Sequence, residues 1–172
     1  MSESDLINGC ISNERNAQRE LYERYKRAMY TLAYRLTNDF DDANDILQDA
    51  FLEVFKNIAQ FKKQSTLGAW IKAILIRKAY HKKQKLKLWQ LVEELPDNEF
   101  VEDWNDNQSN IEQIEKAIAA LPDGFRAVFV LIEIEGFAHR EVAEMLKISE
   151  GTSKSQLFHA KKKLKENLKG LI

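Results

Sequence analysis

The chain has 172 residues, of which 44% are apolar, and its 26 Lys and Arg residues nearly balance 27 Asp and Glu residues to a formal net charge of −1. This length suits one large domain or two small ones, and the apolar fraction is enough to fill their cores. Two prolines and six glycines predict an almost wholly helical protein. The chain has no apolar run of about 18 residues and no basic-then-apolar leader, so neither a membrane span nor a secretory signal is expected.

The spacing of cysteine, histidine and glycine excludes the common catalytic and metal sites. The single Cys10 cannot form an internal disulfide, and no Cys/His cluster has metal-ligand spacing. There is no P-loop, no dinucleotide-binding glycine pattern and no HExxH motif. We therefore expect no enzymatic activity, no cofactor and no metal, and the lone cysteine suits a reducing cytoplasm.

The small net charge hides a strong segregation of charge along the chain. From Val54 through Val92 there are ten Lys or Arg residues and no carboxylate, whereas Trp89 through Ser109 holds seven carboxylates and no base. Different segments therefore present opposite potentials, and a near-neutral total does not argue against a polyanionic partner.

The first part of the chain predicts two long amphipathic helices. From Arg15 to Leu36, apolar residues recur at three- and four-residue spacing, which is typical of a helix with one buried face. Asn38 to Asp42 supply capping groups and negative charge at the start of the next helix, where the macrodipole favours them. That helix carries core-facing apolar residues through Ile58.

One side of this second helix is acidic and amide-bearing and points away from the predicted core. We call it the acidic strip, and its members are Asp45, Gln48, Asp49 and Glu53. The pattern alone favours two interpretations equally, a solvated face or a docking strip for a basic partner helix.

A short polar connection from Phe61 to Leu67 precedes a third predicted helix, which Ser65 or Thr66 can cap. The exposed side of this helix is very basic, with Lys72, Arg77, Lys78, Lys82, Lys83, Lys85 and Lys87. Cations with interleaved aromatic rings suit single-stranded nucleic acid, because phosphates meet the charges while bases stack on the rings. We expect Trp70 to lie in the core and Tyr80 to be the better stacking candidate.

Residues 89–109 lose helical periodicity and are acidic, so we predict a flexible linker there. A second helical group begins near Asn110, with Ile111 and Ile114 among its apolar residues, breaks at residues 122–124 and ends at Gly136. It provides a helical scaffold for the stretch that follows.

Residues 139–168 contain two helical patterns separated by a short break at residues 149–151. Val142, Ala143 and Leu146 share one face of the first pattern. Ser149 or Thr152 can accept a hydrogen bond from the amides that open the second helix. This spacing is that of a helix-turn-helix motif.

The second helix of this motif has an apolar stripe on one side and a hydrogen-bonding face on the other. Lysines flank the polar face, which suits a major groove, because cations meet phosphates and short polar groups meet base edges. A surface helix that merely carries lysines is the alternative, and the motif spacing makes it the weaker one. The face comprises Thr152, Ser155, His159 and Lys162, and the flanking lysines are Lys154, Lys161 and Lys165 on one side and Lys163 on the other.

Two stretches resemble regions of bacterial sigma factors. LPDGFRAVFVLIEIEGFAHREVAEMLKISEGTSKSQLFHAKKKL looks like region 4, and DANDILQDAFLEVF, with the loop that ends at Trp70, looks like region 2. With two domains and a short linker, the chain resembles the small extracytoplasmic-function (ECF) group. The resemblance implies an all-α protein: region 2 as a three- or four-helix bundle over 1–88, a flexible acidic linker over 89–109, and region 4 as four helices with the helix-turn-helix over 110–172.

The resemblance also implies a function and the residues that carry it. A sigma factor binds core RNA polymerase and directs promoter-specific transcription initiation by recognising the −10 and −35 elements and helping to open DNA. The acidic strip, Asp45, Gln48, Asp49 and Glu53, would then dock on the largest polymerase subunits. The residues implied at the −10 element are Lys62, Lys63, Ser65, Lys72, Arg77, Lys78, Tyr80, His81 and Lys82. Those implied at the −35 element are Arg140, Thr152, Ser153, Lys154, Ser155, Gln156, Phe158, His159 and Lys162.

The chain departs from the family pattern at both DNA-facing segments. The family often has asparagine and aspartate where this chain has Arg77 and His81, and valine, arginine and arginine where it has Ser153, Gln156 and His159. Fewer arginines on the reading helix leave fewer bidentate guanine contacts. We therefore expect a −35 preference that depends on Ser155, Gln156 and backbone shape.

The resemblance implies one more partner and leaves two alternatives open. Because the family is commonly held inactive by an anti-sigma factor, such a partner is expected for a cytoplasmic protein without direct membrane insertion. An autonomous helix-turn-helix regulator that binds duplex DNA without polymerase is the main alternative. An all-helical interaction adaptor with no nucleic-acid role is the other, and the basic segment at residues 72–87 argues against it.

Overall fold

The computed structural model describes residues 1–85 and 110–169, and every regular element in these ranges is helical. The described residues belong to two compact units, unit 1 from Met1 to Lys85 and unit 2 within the rest of the chain. This confirms the predicted all-α fold. The predicted linker at 89–109 lies outside the described residues.

Unit 1 contains four α-helices: α1 Glu3–Ile11, α2 Arg15–Thr37, α3 Phe40–Asn57 and α4 Leu67–Lys85, with a 3₁₀ turn at Ile58–Gln60. The last three were predicted, and their caps follow the sequence. Asp39 accepts from the backbone N–H of Asp42 at 2.9 Å, and Thr66, rather than Ser65, accepts from the N–H of Ala69 at 3.2 Å. Each cap satisfies an amide that the helix itself leaves unpaired.

Helix α1 was not predicted, and its start is a capping box. Ser2 Oγ accepts from the backbone N–H of Asp5 at 3.1 Å, and the N–H of Ser2 donates to Asp5 Oδ2 at 3.2 Å. This hydrogen bonding lowers the pKa of Asp5. Gly9 allows close packing on α2, because a Cβ at this position would stand only 2.6 Å from the Cβ of Ala17.

The core of unit 1 is built where α2 packs against α3 and α4. Its fully buried side chains include Leu21, Leu32, Leu36, Ile46, Val54, Ile71 and Leu75. One buried cation also joins the three helices. Nζ of Lys83 on α4 donates to the backbone oxygen of Thr37 at the end of α2, and it lies 3.7 Å from a carboxylate oxygen of Asp42 on α3.

Unit 2 contains α5 Asn110–Ala119, α6 Asp123–Phe129, α7 His139–Leu146 and α8 Glu150–Asn167, and α6 continues into a π turn at Val130–Ile134. Arg126 joins α6 to the end of α5. Its guanidinium donates to the backbone oxygens of Ala119 at 3.2 Å and Leu121 at 2.9 Å, and also to the carboxylate of Asp123. This buried arginine satisfies carbonyls that the end of α5 leaves open.

Helix α5 buries only part of the apolar pattern of its sequence. Ile111 and Ile114 are 73% and 44% exposed, whereas Gln113, Ala117 and Ile118 are buried. Gln113 and Ala117 are four residues apart and therefore lie on one side of the helix. The buried face therefore includes a polar residue, Gln113, that the apolar pattern did not contain.

The helix-turn-helix consists of α7 and α8 joined by residues 147–149. Lys147 ends α7 in the left-handed conformation, with φ of 52°. Ser149 caps α8 by accepting from the N–H of Thr152 at 2.9 Å. The predicted break at residues 149–151 is thus displaced, since Glu150 and Gly151 already belong to α8.

Candidate functional site

The acidic strip lies on the side of α3 opposite to its buried face. Asp45, Gln48 and Asp49 are exposed and Glu53 is half-buried. Ile46, Ala50 and Val54 occupy the core side. The acidic strip therefore points away from the core, as predicted, and a partner can reach it.

The basic side of α4 faces part of the acidic strip. Lys82 donates to Asp45 at 2.9 Å and lies 3.4 Å from Asp42, and Lys78 pairs with Glu53. The hydrogen bond with Asp45 raises the pKa of Lys82, and the one from Lys78 lowers the pKa of Glu53. Two strip carboxylates and two of the lysines expected at the −10 element thus neutralise one another.

The loop before α4 presents exposed cations. Lys62, Lys63 and Ser65 are exposed, and Lys63 has a left-handed backbone with φ of 55°. Behind them, the rings of Phe61 and Trp70 are 5.4 Å apart. Trp70, expected in the core, is only half-buried because it lies at the start of α4 beside this loop.

Along α4, Arg77 and His81 are exposed and Lys72, Lys78 and Lys82 are half-buried. Two expectations here are wrong. Tyr80 is 9% exposed and Lys83 is 3% exposed, so Tyr80 offers no open ring for stacking and Lys83 is not part of the basic surface. Ile76 precedes Tyr80 by four residues, and Lys83 follows it by three, which places all three on the core side of α4.

The outer face of α8 carries the expected cations and short polar groups. Lys154, Ser155, Phe158 and Lys162 are exposed, and Thr152 and His159 are half-buried. The His159 ring stacks on Phe125 of α6, with centroids 5.8 Å apart and planes at 20°. Arg140 lies on α7 and is exposed.

Two residues expected on this outer face are buried instead. Ser153 is fully buried and Gln156 is 8% exposed. Ser153 Oγ forms a hydrogen bond with Nδ1 of His139 at 2.8 Å, which connects α8 to the start of α7. Both residues therefore lie on the packed side of α8, with Leu157 and Ala160, and neither has an exposed side chain to meet base edges.

The described residues contain neither a metal-binding cluster nor a membrane-spanning helix. Across residues 1–85 and 110–169, histidine, cysteine and carboxylate side chains nowhere gather in a group of three or more that could hold a metal ion. Every helix in the same ranges is too short or too polar to span a bilayer.

Two sequence families match the chain, one in each unit. The family described as Sigma-70 region 2 matches residues 21–90, and that described as Sigma-70, region 4 matches residues 111–164. Together they cover more than half of the chain. An autonomous helix-turn-helix regulator would need only the second, so the first favours the sigma-factor interpretation.

Known relatives extend over nearly the whole chain. The ECF RNA polymerase sigma factor SigM of Mycobacterium tuberculosis is 26% identical over 163 residues, which make up 95% of this chain and 83% of SigM. The ECF RNA polymerase sigma factor SigW of Bacillus subtilis is 26% identical over 172 residues, with 92% of each chain covered.

Solved structures share the fold. The sigma factor RpoE, in complex with the anti-sigma factor NepR from Bartonella quintana, matches with a TM-score of 0.61 at 23% identity, over 88% of this chain and 96% of that one. CnrH, in complex with the cytosolic domain of CnrY, matches with a TM-score of 0.58 at 20% identity, over 97% of both chains. With both regions present in order, and with relatives of this kind along the whole chain, the protein belongs to the sigma-70 family of RNA polymerase sigma factors and to its ECF group.

Proposed function

We propose that this chain is a dissociable specificity subunit that binds core RNA polymerase and directs promoter-specific initiation by contacting the −10 and −35 elements and helping to open DNA. The observation that carries the proposal is the succession of region 2 and region 4 in one chain. The chain would then act by binding: the free energy of its contacts with DNA helps to open the strands, and no covalent bond is made or broken. We propose that the protein acts in the cytoplasm, where polymerase and promoter DNA are found.

The acidic strip is the proposed contact with the largest polymerase subunits. Its exposed carboxylates suit a basic partner helix, because complementary charge steers association and fixes the register of the two surfaces. We assign this role to Asp45, Gln48, Asp49 and Glu53. Reversing charge at Asp45 and Asp49 should weaken binding to core polymerase while leaving the fold intact, since both side chains are exposed.

The loop before α4 and the exposed side of α4 are the proposed −10 contact. Lysine and arginine side chains there meet phosphates of the opened strand, and Trp70 supplies a half-buried ring beside the loop. Unstacking a base costs a few kcal/mol, which these contacts must offset. The residues assigned are Lys62, Lys63, Ser65, Lys72, Arg77, Lys78, His81 and Lys82, without the buried Tyr80.

The outer face of α8 is the proposed −35 reader. Ser155 offers a hydroxyl to base edges, and Phe158, which is 65% exposed, offers an apolar surface suited to a thymine methyl group. Lys154, Lys162 and Arg140 meet phosphates, while Thr152 and His159 border the face. Ser153 and Gln156 are left out because they are buried.

An anti-sigma factor is the remaining proposed partner. The sigma factor RpoE, which shares this fold, was solved in complex with the anti-sigma factor NepR, and CnrH, which also shares it, was solved in complex with the cytosolic domain of CnrY. Such a partner would keep the chain from polymerase. We further propose that residues 1–88 form one functional domain, 89–109 the linker and 110–172 the other domain.

Run-off transcription on genomic fragments, with core polymerase in the presence and absence of the chain, tests the proposed function. We expect specific transcripts only when both are present. Binding to duplex DNA is measured in parallel without polymerase. Protection of a palindromic site by the chain alone, with no stimulated transcription, would overturn the sigma-factor assignment in favour of an autonomous regulator.

A further inference from the structure

The exposed face of α3 carries an apolar side chain that the fold does not use. Leu52 is 69% exposed, although α3 already buries a complete face that includes Ile46, Ala50 and Val54. Leu52 follows Gln48 by four residues, so the two side chains lie on adjacent turns of one side. Since most of its surface stays in water, this leucine contributes little to folding.

Leu52 lines a groove between α3 and α4. The groove has a volume of about 380 Å³, and its other lining residues are Asp49, Glu53, Lys56, Asn57 and Lys78. Leu52 is therefore the apolar member of a lining that is otherwise charged or polar. Because Asp49 and Glu53 belong to the acidic strip, the groove continues the strip toward the C-terminal end of α3.

We propose that Leu52 is the apolar anchor of the polymerase-docking surface and receives an apolar side chain from a basic helix of core RNA polymerase. The inference rests on the proposed function and adds to it a residue that the acidic pattern does not contain. Exposed ion pairs contribute little affinity, because water and salt screen them. Interfaces gain most of their affinity where an apolar group becomes desolvated inside a polar rim. Leu52 is surrounded by such a rim, because the other residues that line the groove are charged or polar.

The order of charges along α3 favours a basic partner and predicts where the partner's charges lie. Asp45 and Asp49 lie on the N-terminal side of Leu52, and Lys56 lies one turn beyond it. The partner's positive charges should therefore lie opposite Asp45 and Asp49, and the partner residue opposite Lys56 should be neutral or acidic.

The test measures the affinity of the full chain for core polymerase, without DNA, for variants at Leu52. Leu52→Ala and Leu52→Gln should each weaken binding about tenfold, and Leu52→Met should stay within about twofold because it keeps an apolar side chain of similar volume. Phe40→Ala is the matched control, since Phe40 is 64% exposed on the same helix but does not line the groove. Its affinity should match that of the original chain. The Leu52 variants should unfold at the temperature of the original chain, whereas Phe40→Ala loses the stacking of Phe40 on Tyr34, whose ring centroids are 4.6 Å apart, and should unfold at a lower temperature.

Salt separates the apolar contact from the charged ones. Between about 0.1 M and 0.5 M salt the effect of Leu52→Ala should persist, while the effect of Asp49→Asn should shrink as charges are screened. A leucine effect that disappears with salt, or an equal effect of Phe40→Ala, would overturn the inference.

The proposed function and the anchor fail in distinguishable ways. If the Asp45→Lys/Asp49→Lys variant loses affinity while Leu52→Ala and Leu52→Gln bind normally, the docking strip stands and the anchor is wrong. If none of these variants changes affinity, the assignment of α3 to polymerase docking fails together with the anchor.

Discussion

Replacing Asp42 by asparagine perturbs the buried ammonium group that joins three helices of unit 1. Lys83 is 3% exposed, and its Nζ contacts the backbone oxygen of Thr37 at 3.3 Å and Asp42 Oδ2 at 3.7 Å. Asp42→Asn preserves the shape of the side chain and removes its negative charge. The variant therefore keeps a buried cation without its carboxylate, so it should be less stable.

The expected loss follows from the burial of the two groups. Removing one partner of a fully buried ion pair costs about 3–5 kcal/mol. The Asp42 side chain is 22% exposed, so water compensates part of the loss, and we expect about 2 kcal/mol. For a unit of this size each kcal/mol shifts the melting temperature by about 4–8 °C, which gives a decrease of about 8–16 °C.

Calorimetry of the full chain measures this decrease. Asp41→Asn is the matched control, because Asp41 shares the first turn of α3 but is exposed, and loss of its interaction with the helix dipole should cost at most about 1 kcal/mol. Adding Lys83→Met to Asp42→Asn should recover part of the stability, since the buried charge is then gone while the backbone oxygen of Thr37 loses its donor. Equal melting temperatures for the Asp41 and Asp42 variants, or no recovery in the double variant, would refute this explanation.

Ser155→Ala should change which −35 sequences are bound, whereas Lys162→Ala should weaken all sequences about equally, and selection from a promoter library distinguishes the two outcomes. The affinity of the polymerase complex for promoter DNA should fall with salt at a log–log slope of about −5 or steeper, because this chain makes about six phosphate contacts and core polymerase adds its own; a slope near zero in a salt titration would contradict it. The hydrogen bond from Lys78 lowers the pKa of Glu53, so its stabilising effect is present above the ordinary value of 4.5 and is lost as the pH falls through the lowered pKa. Glu53→Gln should therefore lose less stability on acidification below pH 4.5, as followed by thermal unfolding.

Periodicity predicted the long helices of unit 1 well but missed the first helix. Helix α2 runs to Thr37, one residue beyond its predicted end, because an uninterrupted apolar stripe marks its whole length. Helix α1 has only nine residues, too few for periodicity to stand out. The spacing of Ser2 and Asp5 just before the apolar Leu6 and Ile7 is a capping-box signature that could have revealed it.

The burial of Ser153 on α8 has a cause that its spacing already indicates. Ser153, Leu157, Ala160 and Leu164 follow one another at spacings of four, three and four residues, which is the pattern of a single buried face. Their spacing therefore indicated burial of Ser153, while its hydroxyl suggested a base contact. The partner that makes this burial tolerable, His139, lies 14 residues away on α7, and only the three-dimensional packing brings the two together.

The ion pairs between α3 and α4 determine how much of each charged surface a partner can use. Half-exposed pairs such as Asp45–Lys82 contribute about 0–1 kcal/mol, so a partner carrying several charges can displace them at small cost. A side chain that already forms an ion pair still contributes less binding free energy to a new partner than a side chain that is only hydrated. Polymerase affinity should therefore depend more on Asp49 than on Asp45, and affinity for the −10 strand should depend more on the exposed Lys62 and Lys63 of the loop than on Lys82.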